Sequence, residues 1–213
     1  MSAADFPAEF FDREDEGDDA DFYAQPRFVV HIDTPTIAAL TQAYRELLPP
    51  SGAVLDLMSS WVSHLPAEMR FTDVCGLGMN ALELAQNPRL TRCVVQDLNQ
   101  QPELPFEDAS FDAIINAVSL QYLTQPVAVL RSCARVLRPG GIHVIALSHR
   151  CFPTKAIRAW HVIPPLQRVH LVRAYFERAG SYDAASVWDR SPEEADPLWL
   201  IWARRARSSP SPT

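Results

Sequence analysis

Leu104-Pro105-Phe106-Glu107-Asp108-Ala109-Ser110-Phe111-Asp112 opens a stretch that runs to Leu147 and sets the architecture. From Phe111 to Ala117 the chain is nearly all apolar, as a strand covered on both faces must be. Pro126 then starts a helix over 126–138, where Val127, Leu130, Ala134 and Leu137 recur at helical spacing. Pro139-Gly140-Gly141 stops it and turns the chain into a second apolar strand, Ile142 to Leu147. Strand, helix, strand in this order implies a right-handed crossover and a parallel pair.

The same alternation extends upstream. Ala53 to Leu57, Phe71 to Leu77 and Cys93 to Gln96 read as strands. Thr34 caps a helix to about Leu48, with Pro35 at its first position, and Asn80 caps a short helix over 80–86. Downstream, residues 165–179 form an amphipathic helix. Two last strands follow near Tyr182–Trp188 and Leu198–Ala203. The expected fold is α/β: a doubly wound, mostly parallel, seven-stranded sheet with helices on both faces. In such sheets ligands bind beyond the carboxyl ends of the strands.

Length and charge narrow the possibilities. The chain has 213 residues, of which 47% are hydrophobic and 21% charged, which suits one globular domain. It lacks the ~20-residue apolar run of a membrane span and the basic, apolar start of a secretory signal. A cytoplasmic protein is expected. The net charge is −7, but residues 1–21 carry nine acids and one base, so the remainder is close to neutral. That acidic block reads as a disordered tail, with a lid over a basic patch as the second reading. Residues 22–207 form the domain, and 208–213 a second disordered tail. The four cysteines, at 75, 93, 133 and 151, show no paired spacing. Buried thiols are expected, with no metal site.

The strand ends carry the chemistry. Asp56-Leu57 runs into Met58-Ser59-Ser60-Trp61-Val62-Ser63-His64; the second strand ends in Leu77-Gly78-Met79-Asn80; the third gives Gln96-Asp97-Leu98-Asn99. With Leu104-Pro105-Phe106, Ser110-Phe111-Asp112 and Leu137-Arg138-Pro139-Gly140-Gly141 in order, the chain resembles the class I S-adenosylmethionine-dependent methyltransferases, of the small type-11 group. The resemblance covers about residues 22–205. It implies a Rossmann-like sheet, S-adenosylmethionine as cofactor and methyl transfer as the activity. It places Asp97 on the adenine amino group, Leu98 beside it and Met79 over the ring. Asp56 fixes the first loop or meets the cofactor amine. Met58, Ser59 and Ser60 stand where the family has a glycine-rich loop. Gly78 stands where it has the acid that grips the ribose, with Asn80 or Glu83 as possible replacements.

On the substrate side, Ser148-His149-Arg150-Cys151 follows the fifth strand. Residues 150–178 hold six Lys or Arg and one acid, which suits an anionic small molecule. His149 is the expected general base and Asn116 an orienting group, with Arg150 and Cys151 beside the acceptor. Tyr23, Arg27 and His31 are expected lid contacts. The alternative is a methyltransferase-like binding module without catalysis, in which Trp61 fills the crevice. A nicotinamide-dependent oxidoreductase is disfavoured, because no Gly-x-Gly-x-x-Gly turn follows the first strand. Nothing in the spacing suggests a nucleic-acid partner.

Overall fold

The computed structural model describes residues 6–207. Seven strands form one sheet: β1 (Ala53–Leu57), β2 (Asp73–Gly78), β3 (Arg92–Val95), β4 (Phe111–Ala117), β5 (Leu137–Leu147), β6 (Ser186–Asp189) and β7 (Trp199–Arg204). Their order is β3-β2-β1-β4-β5-β7-β6. The first five are parallel, and β7 runs antiparallel between β5 and β6. The order reverses between β1 and β4, so a ligand crevice is expected at their carboxyl ends.

Side-chain alternation explains the unbroken apolar runs. Leu55, Leu57 and Ile114 face one core layer, which holds Val129, Leu130 and Val172 from the helices. Val54, Ala113 and Ile115 face the other, which holds Leu40 and Tyr44. Helices α4 (Pro126–Val136) and α5 (Pro165–Ala179) supply the first layer, and α2 (Thr34–Leu47) the second. All five residues of β1 are buried.

Boundaries differ from the sequence reading in ways the contacts explain. Asp33, not Thr34, caps α2, its carboxylate accepting from the Thr36 N–H at 3.0 Å. β5 begins five residues early, because Leu137 already pairs with Phe111 before the register slips. At that irregularity Gly140 takes φ +81°, a left-handed conformation that side chains resist. Cys93 is exposed on the β3 edge; Cys75 and Cys133 are buried as expected.

The largest departure is the acidic segment. Residues 6–21, expected to be disordered, pack on the domain. A 3-10 turn spans Ala8–Phe11 and a short helix, α1, spans Asp19–Phe22. The Phe6 ring meets Tyr175 at 5.1 Å. The Asp15 N–H donates to the Thr154 carbonyl, and the Arg158 N–H to that of Asp12. Charge explains the docking. The Lys155 ammonium, its side chain 1% exposed, lies 3.2 Å from Asp15 and 3.0 Å from Asp19. Asp19 also accepts from Arg13 and from Asn99 at 2.8 Å. Composition suggested solvated self-repulsion, but Lys155, with Arg13 of the segment itself, pairs with Asp15, Glu16 and Asp19. The second expected tail, 208–213, lies outside the described residues, as do residues 1–5. No helix among the described residues is long and apolar enough to cross a membrane.

Candidate functional site

A cleft of about 1170 Å³, measured out to its open mouth, lies over the carboxyl ends of β1 to β4. Asp56 forms part of its floor. This carboxyl is 3% exposed, and its Oδ2 accepts from the Ser59 and Ser63 hydroxyls at 2.6 Å each. Burial pushes its pKa up to about 6, against the pull of those two hydrogen bonds.

The loop after β1 turns without glycine. Met58 takes the left-handed conformation, at φ +57°. That geometry costs an L-residue roughly 1–2 kcal/mol. The Ser59 N–H then donates to the Leu77 carbonyl at 2.7 Å, laying the loop across the end of β2. The serine hydroxyls point to protein acids: Ser59 to Asp56, and Ser60 to Glu83 at 2.6 Å. They hold the loop's shape from within.

Gly78 explains the lost acid. A β-carbon there would fall well inside 3.0 Å of the Ser59 carbonyl oxygen. The loop occupies the space an acidic side chain would need. Its nearest counterpart is Glu83 on α3 (Ala81–Gln86), which lines the cleft. Its oxygens accept from Ser60 and, at 2.6 Å, from the Arg27 backbone N–H. Asn80 caps its helix as the sequence reading had it, and holds the N-terminal segment besides. Its Oδ1 caps α3 through the Leu82 and Glu83 N–H groups, and its Nδ2 donates to the Tyr23 and Ala24 carbonyls. It lines the cleft while joining α3 to the N-terminal strap.

At the other end, Asp97, Leu98 and Met79 line the cleft together. Asp97 Oδ1 accepts from the Asn99 N–H at 2.8 Å. Tyr23, Arg27 and His31 line it as well. So do Asp19, His64, Ser119, Tyr122 and Phe152, which the sequence reading did not place at the cofactor or substrate. For Asp19 no local signal existed, since its ties to Asn99 and Lys155 span 80 and 136 positions. Val118 carries a further mark of a built site: a β-branched residue at φ +49°.

The substrate-side expectations fare differently. His149 is exposed and lies 3.4 Å from Asp196, outside the cleft lining. Arg150 pairs with the same carboxylate at 3.1 Å. Asp196 draws both away because it is anchored beside α2 by reciprocal bonds with Asp33. Cys151 is half-buried outside the lining, and burial raises its thiol pKa. Asn116 is wholly buried, donating to the Leu57 carbonyl and the Ser119 hydroxyl, so it braces β4 against β1. Two imidazoles do reach the cleft, His31 and His64. Burial, with His31 adding to it, lowers the His64 pKa to about 4. Trp61 does not plug the crevice: it is absent from the lining, and its indole N–H donates to the Val29 carbonyl at 2.8 Å.

Residues 52–145 match the family model described as "Methyltransferase domain". A curated Mycolicibacterium smegmatis protein named "Probable S-adenosylmethionine-dependent methyltransferase" is 38% identical over 48 residues. That match covers 22% of this chain and 19% of the other's length. Among solved structures, an S-adenosylmethionine-dependent methyltransferase from Mesorhizobium loti has a TM-score of 0.54 at 19% identity, covering 80% of this chain and all of that one. The Haemonchus contortus phosphoethanolamine N-methyltransferase 2 has 0.59 at 13%, covering 80% and 52%. The Streptomyces coelicolor geranyl diphosphate C-methyltransferase has 0.55 at 16%, covering 79% and 77%. At these identities the structures speak to the fold, which they share. With the family match over 52–145 and the cleft where this sheet order puts it, the chain carries an S-adenosylmethionine-dependent methyltransferase domain of the class I fold.

Proposed function

We propose that the chain transfers a methyl group from S-adenosylmethionine to a small-molecule acceptor. The observation that carries this reading is the set Asp97, Leu98 and Met79 lining an open cleft together with Ser59 and Glu83. The residues present suit the cofactor. Asp97 uses one oxygen on the Asn99 N–H, and its second has no partner among the described residues, leaving an acceptor for an adenine amine. Leu98 is buried and Met79 half-buried, which gives an apolar slot for the ring. Glu83 replaces the missing acid at Gly78, since each carboxylate oxygen keeps a free lone pair after its bond to Ser60 or Arg27.

Bound here, S-adenosylmethionine supplies a methyl on a cationic sulfur that is already a good leaving group. The protein's share is alignment and exclusion of water. Asp56 and Ser59 fix the loop after β1, and the strap covers the cleft through Tyr23. The acceptor lies against Val118, Tyr122 and Phe152, at the ends of β4 and β5. If it arrives protonated, the imidazoles in reach are His31 and His64, in place of His149.

Calorimetry with S-adenosylhomocysteine tests this reading. Binding to the wild type is expected, with Asp97→Ala weakening it about tenfold, the worth of one charge-assisted hydrogen bond. No heat at saturating nucleoside overturns it and leaves the module without catalysis as the better account.

A further inference from the structure

The polar lining of the cleft is dominated by acids: Asp19, Asp56, Glu83 and Asp97. Among the described residues that line it, Arg27 is the one Lys or Arg. Its position is fixed closely. The backbone N–H is held by Glu83, and Nη2 donates to the Phe22 carbonyl at 2.8 Å. The guanidinium carbon lies 4.4 Å from the Phe22 ring centre and 5.4 Å from that of Phe152. These two rings, themselves 5.5 Å apart, pack together against one side of the planar fork and shield it from water.

The fork is nonetheless incomplete. Nη1 is sealed from solvent and has no hydrogen-bond partner. The nearby carboxylates are engaged elsewhere: Asp19 with Arg13, Lys155 and Asn99, and Glu83 with Ser60 and the Arg27 backbone. A buried N–H without an acceptor is costly, and such groups in native proteins are normally paired. The missing partner is an anion that fits a planar fork, and a carboxylate does.

We propose that Arg27 Nη1 receives the carboxylate of the methyl acceptor, which makes the acceptor class small carboxylic acids with an apolar body. Three observations place this on the acceptor side. Phe152, against which the guanidinium packs, follows β5 and also meets His31 at 5.4 Å. Asp97 and Met79, at the proposed adenine end, follow β3 and β2 instead. Near β4 and the strap, Val30, Val118 and Leu123 give the lining an apolar wall beside His31, Ser119 and Tyr122. An anionic acceptor thus stays the expectation, but its basis changes. The basic residues of 150–178 that first suggested it include Arg150 and Lys155, which lie outside the cleft lining and pair with protein acids.

The inference rests on the cofactor reading, and one experiment separates the two. The full chain, saturated with S-adenosylhomocysteine, is titrated by calorimetry with benzoate and with its uncharged counterpart benzamide. The wild type is expected to prefer benzoate about tenfold to a hundredfold, the worth of a charge-assisted bond. Arg27→Met is expected to cancel that preference and leave S-adenosylhomocysteine affinity within about twofold. Arg27→Lys, which keeps the charge and loses the fork, is expected to retain part of it. Comparing two probes on one variant cancels any general loosening of the strap. Three results overturn the acid assignment alone: no preference in the wild type, a preference that survives in Arg27→Met, or a loss of S-adenosylhomocysteine affinity in Arg27→Met. The last hands the fork to the cofactor's own amino-acid tail. Absence of S-adenosylhomocysteine binding by the wild type strikes the cofactor reading itself, and the acid assignment with it.

Discussion

The carbonyl oxygen of Ser59 occupies the space in which a β-carbon on Gly78 would stand. Two departures from the family pattern are therefore one. The glycine-free loop leans on the end of β2, through the Ser59 N–H bond to Leu77, and β2 answers with a residue that has no side chain. Restoring the family acid should damage this protein. Gly78→Asp meets a backbone atom that cannot swing aside, and overpacking of that kind costs about 1–3 kcal/mol or more. A urea midpoint that falls with an unchanged slope is the expected result. A variant as stable as wild type would show that the loop moves freely.

Met58 invites a paired substitution. At φ +57°, a β-branched side chain is worse than a linear one. Met58→Val should lose about 1–3 kcal/mol through backbone strain. Met58→Gly should stay within about 1 kcal/mol of wild type, since relief of strain offsets the greater freedom of the unfolded chain. Denaturant titration of the two side by side checks the order, and equal losses refute the strain account.

Asp56 predicts a pH dependence of definite sign. Its folded pKa, about 6, lies above that of an unfolded Asp. The unfolded chain therefore gives up this proton first. The Asp56 contribution to stability is fully present below the unfolded value, near about pH 4, and is lost as pH rises through about 6. Asp56→Asn can still accept from both serines and should remove that slope, gaining of order 2–3 kcal/mol relative to wild type at pH 7–8. Thermal melts of both proteins between pH 4 and 8 suffice. Parallel curves would mean that Asp56 does not titrate there.

The strap's ion cluster responds in the opposite direction. Burial pushes the Asp19 carboxyl up, but Asn99, Arg13 and Lys155 outweigh it and hold its pKa below the ordinary range. Its contribution is present above the unfolded value and is lost as pH falls through the folded one. Asp19→Ala leaves the Lys155 ammonium and the Arg13 guanidinium buried beside each other and should cost about 3–5 kcal/mol. It should also open residues 12–27 to limited proteolysis. Asp15→Ala, at an exposed partner of Lys155, should leave both readouts unchanged. Protection of the strap in Asp19→Ala would remove the cluster as its anchor.

Asn80 separates helix capping from strap docking. Asn80→Asp keeps an oxygen for the Leu82 and Glu83 N–H groups but has no donor for the Tyr23 and Ala24 carbonyls. Asn80→Ala loses both, with about 1 kcal/mol from the cap alone. Hydrogen exchange should show α3 protected in Asn80→Asp and exposed in Asn80→Ala, with the strap loosened in both. A strap as protected in Asn80→Asp as in wild type would mean that the amide does not dock it.

What the chain wrote locally could be read locally. The apolar runs of β1, β4 and β5, the helix begun by Pro126, and Asn80 as a cap each depend on neighbours within a few positions. They were legible because the burial period and the backbone limits of Pro and Gly act at that range. The strand-end stretches also put Asp97, Leu98 and Met79 where the fold places them together. Tertiary structure alone decided the rest. It drew His149 to Asp196, 47 positions away, and docked the acidic segment onto Lys155. It let Met58 make the turn after β1 without glycine. Each outcome turns on where distant charges and backbone atoms come to rest against one another. That is fixed by three-dimensional packing, and composition and spacing do not carry it.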